Sequence, residues 1–266
     1  SDVIIAALGE ASEMSGESSS RSHIDMPHTQ LKLLKALVKT GKPVVLVLFT
    51  GRPLTITWEN KNVPAILNVW FGGSEAGNAI ADVLFGDVNP SGKLSTTFPQ
   101  NIGQVPLYYN HKNTGRPLPE GKWFEKFRSN YLDVSNDPLY PFGFGLSYSD
   151  FEYSDITVSS KKVKGNATLT ASVTVTNKSK TDGKEVVQLY IRDIVGSVTR
   201  PVKELKGFKK VTIKAGESQK VSFQITPGDL KFYNYNLKYD WEAGDFNIMI
   251  GGNSRDVKSV MINWVK

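Results

Sequence analysis

Pro43-Val44-Val45-Leu46-Val47-Leu48-Phe49 is an unbroken apolar run with no side chain suited to water. A run of this length, ended by the turn Thr50-Gly51-Arg52-Pro53, is a strand covered on both faces, as in parallel sheets with helices above and below. Before it, Leu31, Leu34, Leu37 and Val38 recur at helical spacing; Pro27 stands where a first turn tolerates it, and Gly41 is the stop. Further upstream, Val3-Ile4-Ile5-Ala6-Ala7-Leu8-Gly9 has the composition of a second buried strand. Downstream, Ala65-Ile66-Leu67-Asn68-Val69-Trp70-Phe71 is a third, and Gly72-Gly73-Ser74 leads into a second helix. Its expected buried stripe is Ala76, Ala79, Ile80, Val83 and Leu84, with Gly86 at its end. Three parallel-type strands with intervening helices make half of a doubly wound sheet, whose open edges need cover. The chain also begins inside a strand without an initiator Met, so it reads as the later part of a longer protein whose first strands lie upstream.

Residues 87–148 change character. Asn89-Pro90-Ser91-Gly92 is a turn signal, and from there to Tyr148 lie seven of the 13 prolines, several aromatics and little periodicity. A stretch this long without its own elements is functional or wraps another domain. From about residue 150 the pattern becomes period-2: Leu169, Ala171, Val173 and Val175; Val187, Leu189 and Ile191; Val221, Phe223 and Ile225; Phe246, Ile248 and Ile250. Asp182-Gly183, Ala215-Gly216 and Ala243-Gly244 punctuate these runs. Seven or eight short strands in about 115 residues suggest an immunoglobulin- or fibronectin-type sandwich. The expected fold class is therefore α/β plus all-β: a partial α/β sandwich domain at 1–108, an extended connector at 109–148 and a β-sandwich domain at 149–266.

Composition narrows the chemistry. No apolar run is long enough for a membrane span, and the absence of Cys excludes disulfides, thiolate catalysis and Cys-ligated zinc. The net charge of +6 sits wholly after residue 148: residues 1–148 hold 13 basic and 13 acidic side chains, the remainder 19 and 13. Those lysines (Lys178, Lys184, Lys203, Lys214, Lys220) are spread singly through strands and turns, as on a solvated outer face, and no nucleic-acid recognition motif accompanies them. Nucleic acid and membrane are not expected partners.

The loop after the first strand carries three carboxylates, Glu10, Glu13 and Glu17, in a Ser/Gly-rich setting ending at Arg21. Loops at the carboxyl ends of parallel strands are where ligands bind in α/β sheets. Glycoside hydrolysis needs two carboxyls flanking the bond, and any of the three could be one of them. Ser74, after a glycine turn and before a helix, resembles a nucleophile elbow, but Ala76 stands where that motif wants Gly and His111 is the sole downstream histidine; Ser74 reads better as a helix N-cap. His23 and His28, near Asp25, have poor metal spacing. Phe142-Gly143-Phe144-Gly145 lacks the strand, helix and third glycine of a dinucleotide fingerprint. Asn166-Ala167-Thr168 and Asn177-Lys178-Ser179 are sequons by pattern alone.

Longer motifs carry a resemblance. Gly9-Glu10, Ser15-Gly16-Glu17, Arg21 and Ile24-Asp25-Met26-Pro27 resemble the acid/base region of family 3 glycoside hydrolases. Lys42 to Leu48, Gly51-Arg52-Pro53, Ala79 to Gly86 and Asn89-Pro90-Ser91-Gly92-Lys93-Leu94 match it too, as do Tyr140 to Tyr148 and Arg200 to Phe208. The likeness covers essentially the whole chain and is strongest to the periplasmic bacterial β-glucosidases of that family. It implies a parent enzyme with an upstream barrel that carries an Asp nucleophile and most sugar contacts, then an α/β sandwich that lends the acid/base, then a fibronectin type III-like domain. By matching position Glu17 is the acid/base, with Glu10 and Glu13 its neighbours. Ser18-Ser19-Ser20 stands where many relatives place an aromatic and an Asp. The resemblance implies a retaining β-glucosidase acting on terminal β-D-glucosyl residues of oligosaccharides or glucosides, periplasmic or secreted, without cofactor or metal. This chain alone, lacking nucleophile and barrel, is expected to be inactive. Two alternatives stay open: residues 150–266 as an accessory module that packs domains or forms a homodimer, and a serine hydrolase using Ser74.

Overall fold

The computed structural model describes residues 1–119 and 121–266. They form two compact units: residues 1–88, 96–107 and 133–140, and residues 89–95, 108–132 and 141–266. Residues 109–148, expected as one connector, are thus shared out, 133–140 going to the first unit and the rest to the second.

The first unit is built on a three-stranded parallel sheet. Strands β1 (Ile4–Gly9) and β3 (Ala65–Asn68) flank β2 (Val44–Phe49). The registers run Ile4↔Val44 to Gly9↔Phe49 and Val45↔Ala65 to Leu48↔Asn68, so all three carboxyl ends lie at the same sheet edge. The apolar run of β2 is the covered one: Val44, Leu46, Val47 and Leu48 are buried. Helix α1 (His28–Val38) follows β1, with Leu34 its buried anchor. Helix α2 (Thr57–Asn62) precedes β3, and α3 (Ala76–Phe85) follows it, ending at Gly86 in the left-handed region. Leu54, Ile56, Val63, Met26 and Phe98 complete the core.

Two expectations need correction here. The third strand stops at Asn68 rather than Phe71, because Trp70 takes a φ of 49° and turns the chain out of the sheet. The stripe of α3 is not buried: Ala76, Ala79, Ile80 and Val83 face Leu67 and Val69 across an open cavity of 170 Å³. Segments read only as irregular do structural work instead. Phe98 is buried, 5.7 Å centroid to centroid from Trp70 and 5.9 Å from Tyr140, and the Tyr140 hydroxyl donates to Asn60 Oδ1 at 2.6 Å.

The second unit is a β-sandwich. One sheet contains β4 (Phe151–Tyr153), β5 (Thr157–Val158), β7 (Leu169–Asn177) and β10 (Ser218–Ile225). The other runs in the order β6 (Lys162–Lys164), β14 (Val257–Val265), β13 (Gly244–Gly251), β8 (Gly183–Asp193) and β9 (Glu204–Ile213). A one-turn helix, α4 (Pro227–Leu230), leads to a hairpin of β11 (Phe232–Tyr233) and β12 (Tyr239–Asp240). Each residue of the four alternating sets read from the sequence is in the common core, joined by Trp241 and Trp264. The strand number exceeds the expectation because β5 and β6 are two and three residues long, too short to show alternation. Ile248 is fully buried there. Ile248→Val should cost about 1 kcal/mol, measured as a lower midpoint of the sandwich's urea transition.

The Asn89–Leu94 and Pro141–Tyr148 motifs are lashed to this sandwich. Leu94 and the Phe142–Gly145 segment exchange backbone hydrogen bonds, Leu94 N to Phe144 O and Gly143 N to Leu94 O, both 2.7 Å. Lys93 donates to the Gly145 carbonyl at 2.8 Å and pairs with buried Glu185 at 3.0 Å. Asn177 is buried, its amide donating to the carbonyls of Thr181 and Ile213, so that sequon offers no free amide, whereas Asn166 is exposed. Lys203, expected on a solvated face, is half-buried and donates to the Ser254 carbonyl.

Candidate active site

The three carboxylates of the first loop meet three different fates, decided by what the sheet's carboxyl edge places around them. Gly9 ends β1 with φ 143°, and a side chain there would meet the Phe49 carbonyl oxygen at 1.8 Å. Only glycine lets the two strand ends run this close. Gln30 of α1 brackets the same residue, its amide oxygen accepting from Gly9 N at 2.6 Å and its amide nitrogen donating to Gly9 O at 2.8 Å. The next residue, Glu10, is therefore delivered inward, against the Thr50–Pro53 turn that follows β2.

There Glu10 is the centre of a polar cluster, with its side chain 1% exposed. Oε1 receives Arg21 Nη1 at 2.8 Å and lies 3.0 Å from Arg52 Nε. Oε2 accepts from the Thr50 hydroxyl at 2.9 Å and from Gly51 N at 3.2 Å. Burial works against its charge. The Arg21 hydrogen bond, the Thr50 hydroxyl, the Gly51 N–H and the Arg52 charge outweigh it, and the carboxyl is held below its ordinary value. A carboxylate so paired is held as an anion.

Glu13 lies in a 3-10 turn, Ser12–Met14, exposed, with the Ser12 hydroxyl donating to it at 2.7 Å; that bond and its own backbone N–H hold its carboxyl below the ordinary value. Glu17 stands at the tip. The turn closes by Ser19 N donating to Gly16 O at 3.2 Å, with Gly16 at φ 151° and Ser18 at φ 60°. A positive φ at the third position is the signature of a type II turn, and it presents the second residue, Glu17, outward. Glu17 is exposed and has no hydrogen-bond or ion-pair partner among the described residues.

The turn is held at its ends. Arg52 Nη2 donates to the carbonyls of Met14 and, at 3.0 Å, Ser19. Arg21 Nη2 donates to the Asp25 carbonyl at 3.0 Å, and the Thr55 hydroxyl donates to the Asp25 carboxylate. Sequence spacing carries no sign that Glu10 and Arg52 belong together. The one available signal was the Thr-Gly-Arg-Pro turn at the end of a buried strand. Nothing in the local sequence marks Glu59 of α2 either. It is buried, which pushes its carboxyl up; its own backbone N–H and Lys35 oppose this, and Asp25 adds to it.

The other sequence candidates do not assemble. Ser74 is exposed and does not cap α3: Glu75 is the N-cap, without a side-chain cap bond, and receives the Asn78 amide at 2.6 Å instead. Ser74 hydrogen-bonds no histidine among the described residues. His111 Nδ1 lies 3.1 Å from the Tyr108 carbonyl, and His23 and His28 are exposed. No helix among the described residues is long and apolar enough to cross a membrane.

Residues 1–148 match the glycosyl hydrolase family 3 C-terminal domain, and residues 185–254 a fibronectin type III-like domain. A periplasmic β-glucosidase of Salmonella typhimurium is 52% identical over 97% of this chain and 34% of its own length. A β-xylosidase of Formosa agariphila is 42% identical over 98% of this chain and 35% of its own. The crystal structure of a Listeria innocua β-glucosidase in complex with isofagomine superposes with a TM-score of 0.95 at 44% identity, covering all of this chain and 37% of that one. The chain thus spans about a third of the length of these relatives. With more than half of its residues inside the family's C-terminal domain and the sandwich following in the same order, the chain belongs to glycosyl hydrolase family 3.

Proposed function

We propose that this chain lends the general acid/base, Glu17, to a retaining β-glycosidase whose Asp nucleophile and sugar pocket lie in an upstream barrel. The observation that carries the reading is the division of labour in the loop. Glu10 is consumed by two guanidiniums, Glu13 is held by Ser12, and Glu17 alone is displayed without a partner among the described residues. The chemistry then runs in two steps. Glu17 gives its proton to the glycosidic oxygen as the barrel's Asp attacks the anomeric carbon; the C–O bond breaks and a glycosyl ester forms. The Glu17 carboxylate next takes a proton from water, which attacks the same carbon, frees the Asp and gives back the original anomeric configuration. Two such carboxyls work about 5 Å apart. An acid in this role must keep its proton at working pH, and closure of a dry site or a neighbouring carboxylate does this.

The substrate class is a terminal β-D-glucosyl residue of an oligosaccharide or glucoside, after the relatives named as β-glucosidases, and the location is periplasmic or secreted. The test is a chimera in which this chain replaces the matching third of the Salmonella periplasmic β-glucosidase. The chimera should hydrolyse an aryl β-glucoside, and the purified 266-residue chain should not. Turnover by the chain alone, or a folded chimera without activity, overturns the reading.

A further inference from the structure

We infer that Arg52 is a positioning residue that fixes Glu17 by tying both ends of its turn to the carboxyl end of β2. The inference rests on the reading of Glu17 as the acid/base and concerns what holds it in place. The turn has little to hold it otherwise. Within Met14–Ser19, the Ser19-to-Gly16 bond is internal, and Met14 N reaches only to the Ala11 carbonyl of the same loop. Among the described residues, the hydrogen bonds that join this segment to the rest of the unit are the two from Arg52 Nη2, to Met14 O and Ser19 O. These two carbonyls bracket Ser15–Ser18, so one nitrogen sets the span across which Glu17 is displayed.

Arg52 is itself immobilised. Its Nε lies 3.0 Å from Glu10 Oε1, and Glu10 is anchored in turn by Arg21, Thr50 and Gly51. The order of support runs from sheet edge to Glu10, to Arg52, to the turn. Lysine cannot replace this fork. A single ammonium satisfies the carboxylate or the carbonyls, but its stem does not present separate donors along fixed directions. Packing backs the clamp from the same side. A side chain at Gly51 would meet Ser15 Oγ at 1.9 Å and Phe71 Cζ at 2.6 Å, so the turn rests directly on bare backbone.

The experiment compares Arg52→Lys, Gly51→Ala and Glu17→Gln in the active chimera, on a glucoside with a poor leaving group (methyl or cellobiosyl) and on 2,4-dinitrophenyl β-glucoside. A misplaced acid harms only the bond that needs protonation. Arg52→Lys should lower kcat/KM about 10- to 100-fold on the poor leaving group and within about 3-fold on the activated one. Combined with Glu17→Gln it should add nothing on the poor leaving group. Gly51→Ala, which keeps both ion pairs, should show the same selectivity. In the 266-residue chain, the Ser19 amide hydrogen, which donates to Gly16 O within the turn, should exchange at least about 10-fold faster in Arg52→Lys while those of β2 do not change. Equal losses on both substrates, an additive double variant, or unchanged exchange in the turn overturns the inference. Failure of the acid/base reading is separately visible, because Glu17→Gln would then itself fail to discriminate between the substrates.

Discussion

Glu17→Gln should lower kcat/KM of the chimera by about 10²- to 10⁴-fold on alkyl glucosides and cellobiose, the range general acid catalysis supplies. The same variant should leave kcat/KM on 2,4-dinitrophenyl β-glucoside nearly unchanged. The asymmetry is the diagnostic. An alkoxide is a poor leaving group, and its oxygen must be protonated as the bond breaks; a dinitrophenolate departs unaided. The second step makes a further prediction for the same variant. Water attacking the glycosyl ester needs a base in either case, so on the activated substrate kcat falls while kcat/KM holds, and the intermediate accumulates as a burst of dinitrophenol. Gln keeps the shape and polarity of the side chain, so a change in fold does not produce this pattern. Uniform losses on the two substrates, without a burst, would remove Glu17 from the chemistry.

The assignment gains from what excludes the neighbours. Glu10 sits seven residues before Glu17 in the same loop, and composition alone does not distinguish the two. Folding separates them. The parallel register brings Gly9 beside Phe49, which puts Glu10 against the Thr50–Arg52 backbone and Glu17 on the far side of a 3-10 turn. A carboxylate with two guanidiniums, a hydroxyl and an amide around it stabilises structure and gives up no proton near neutrality. One with no partner among the described residues is available to a second domain.

Periodicity made most of the fold legible, because burial acts on whole strands. Val44–Phe49 could only be a covered strand, and the alternating sets from Leu169 to Ile250 could only line one core. Local rules failed where long-range contacts decide. The apolar stripe of α3 was legible as a stripe but not as uncovered, since cover depends on what else packs there, and within this unit it faces an open cavity beside β3. Helix α2, Thr57-Trp58-Glu59-Asn60-Lys61-Asn62, is one and a half turns of mostly polar residues, too short to carry a period. Phe98 and Tyr140, 42 positions apart, pair edge to face and exchange backbone hydrogen bonds through the Phe98 carbonyl, a contact no window of sequence contains. The site divides the same way. Glu17 came from a family likeness of motif, whereas Glu10 and Arg52 required the register between two strands.

Glu10→Gln should be the most damaging single polar change in the first unit. It removes a charge from a side chain 1% exposed and leaves Arg21 and Arg52, themselves about a fifth exposed, facing each other without an anion. Breaking one partner of a buried pair costs about 3 kcal/mol, and an amide in this place turns one hydrogen-bond donor toward groups that already donate. Urea denaturation, followed by a probe in the first unit, should show that loss, while the transition of the sandwich stays where it was. The pH dependence carries the same signature with a definite sign. The folded Glu10 carboxyl lies below its ordinary value of 4.5, so its stabilisation is fully present above that value and is lost as pH falls through the lower, folded one. The native first unit should therefore lose stability on acidification below 4.5, and Glu10→Gln should lose less over the same interval. Because Arg52 is held by Glu10 and holds the Glu17 turn, exchange of the Ser19 amide should quicken in the native chain over that acid window, beyond the intrinsic effect of pH on exchange. In Glu10→Gln it should be fast at every pH. An acid-insensitive turn in the native chain, or a Gln variant as stable as the native, would mean that the two guanidiniums are held by something other than this carboxylate.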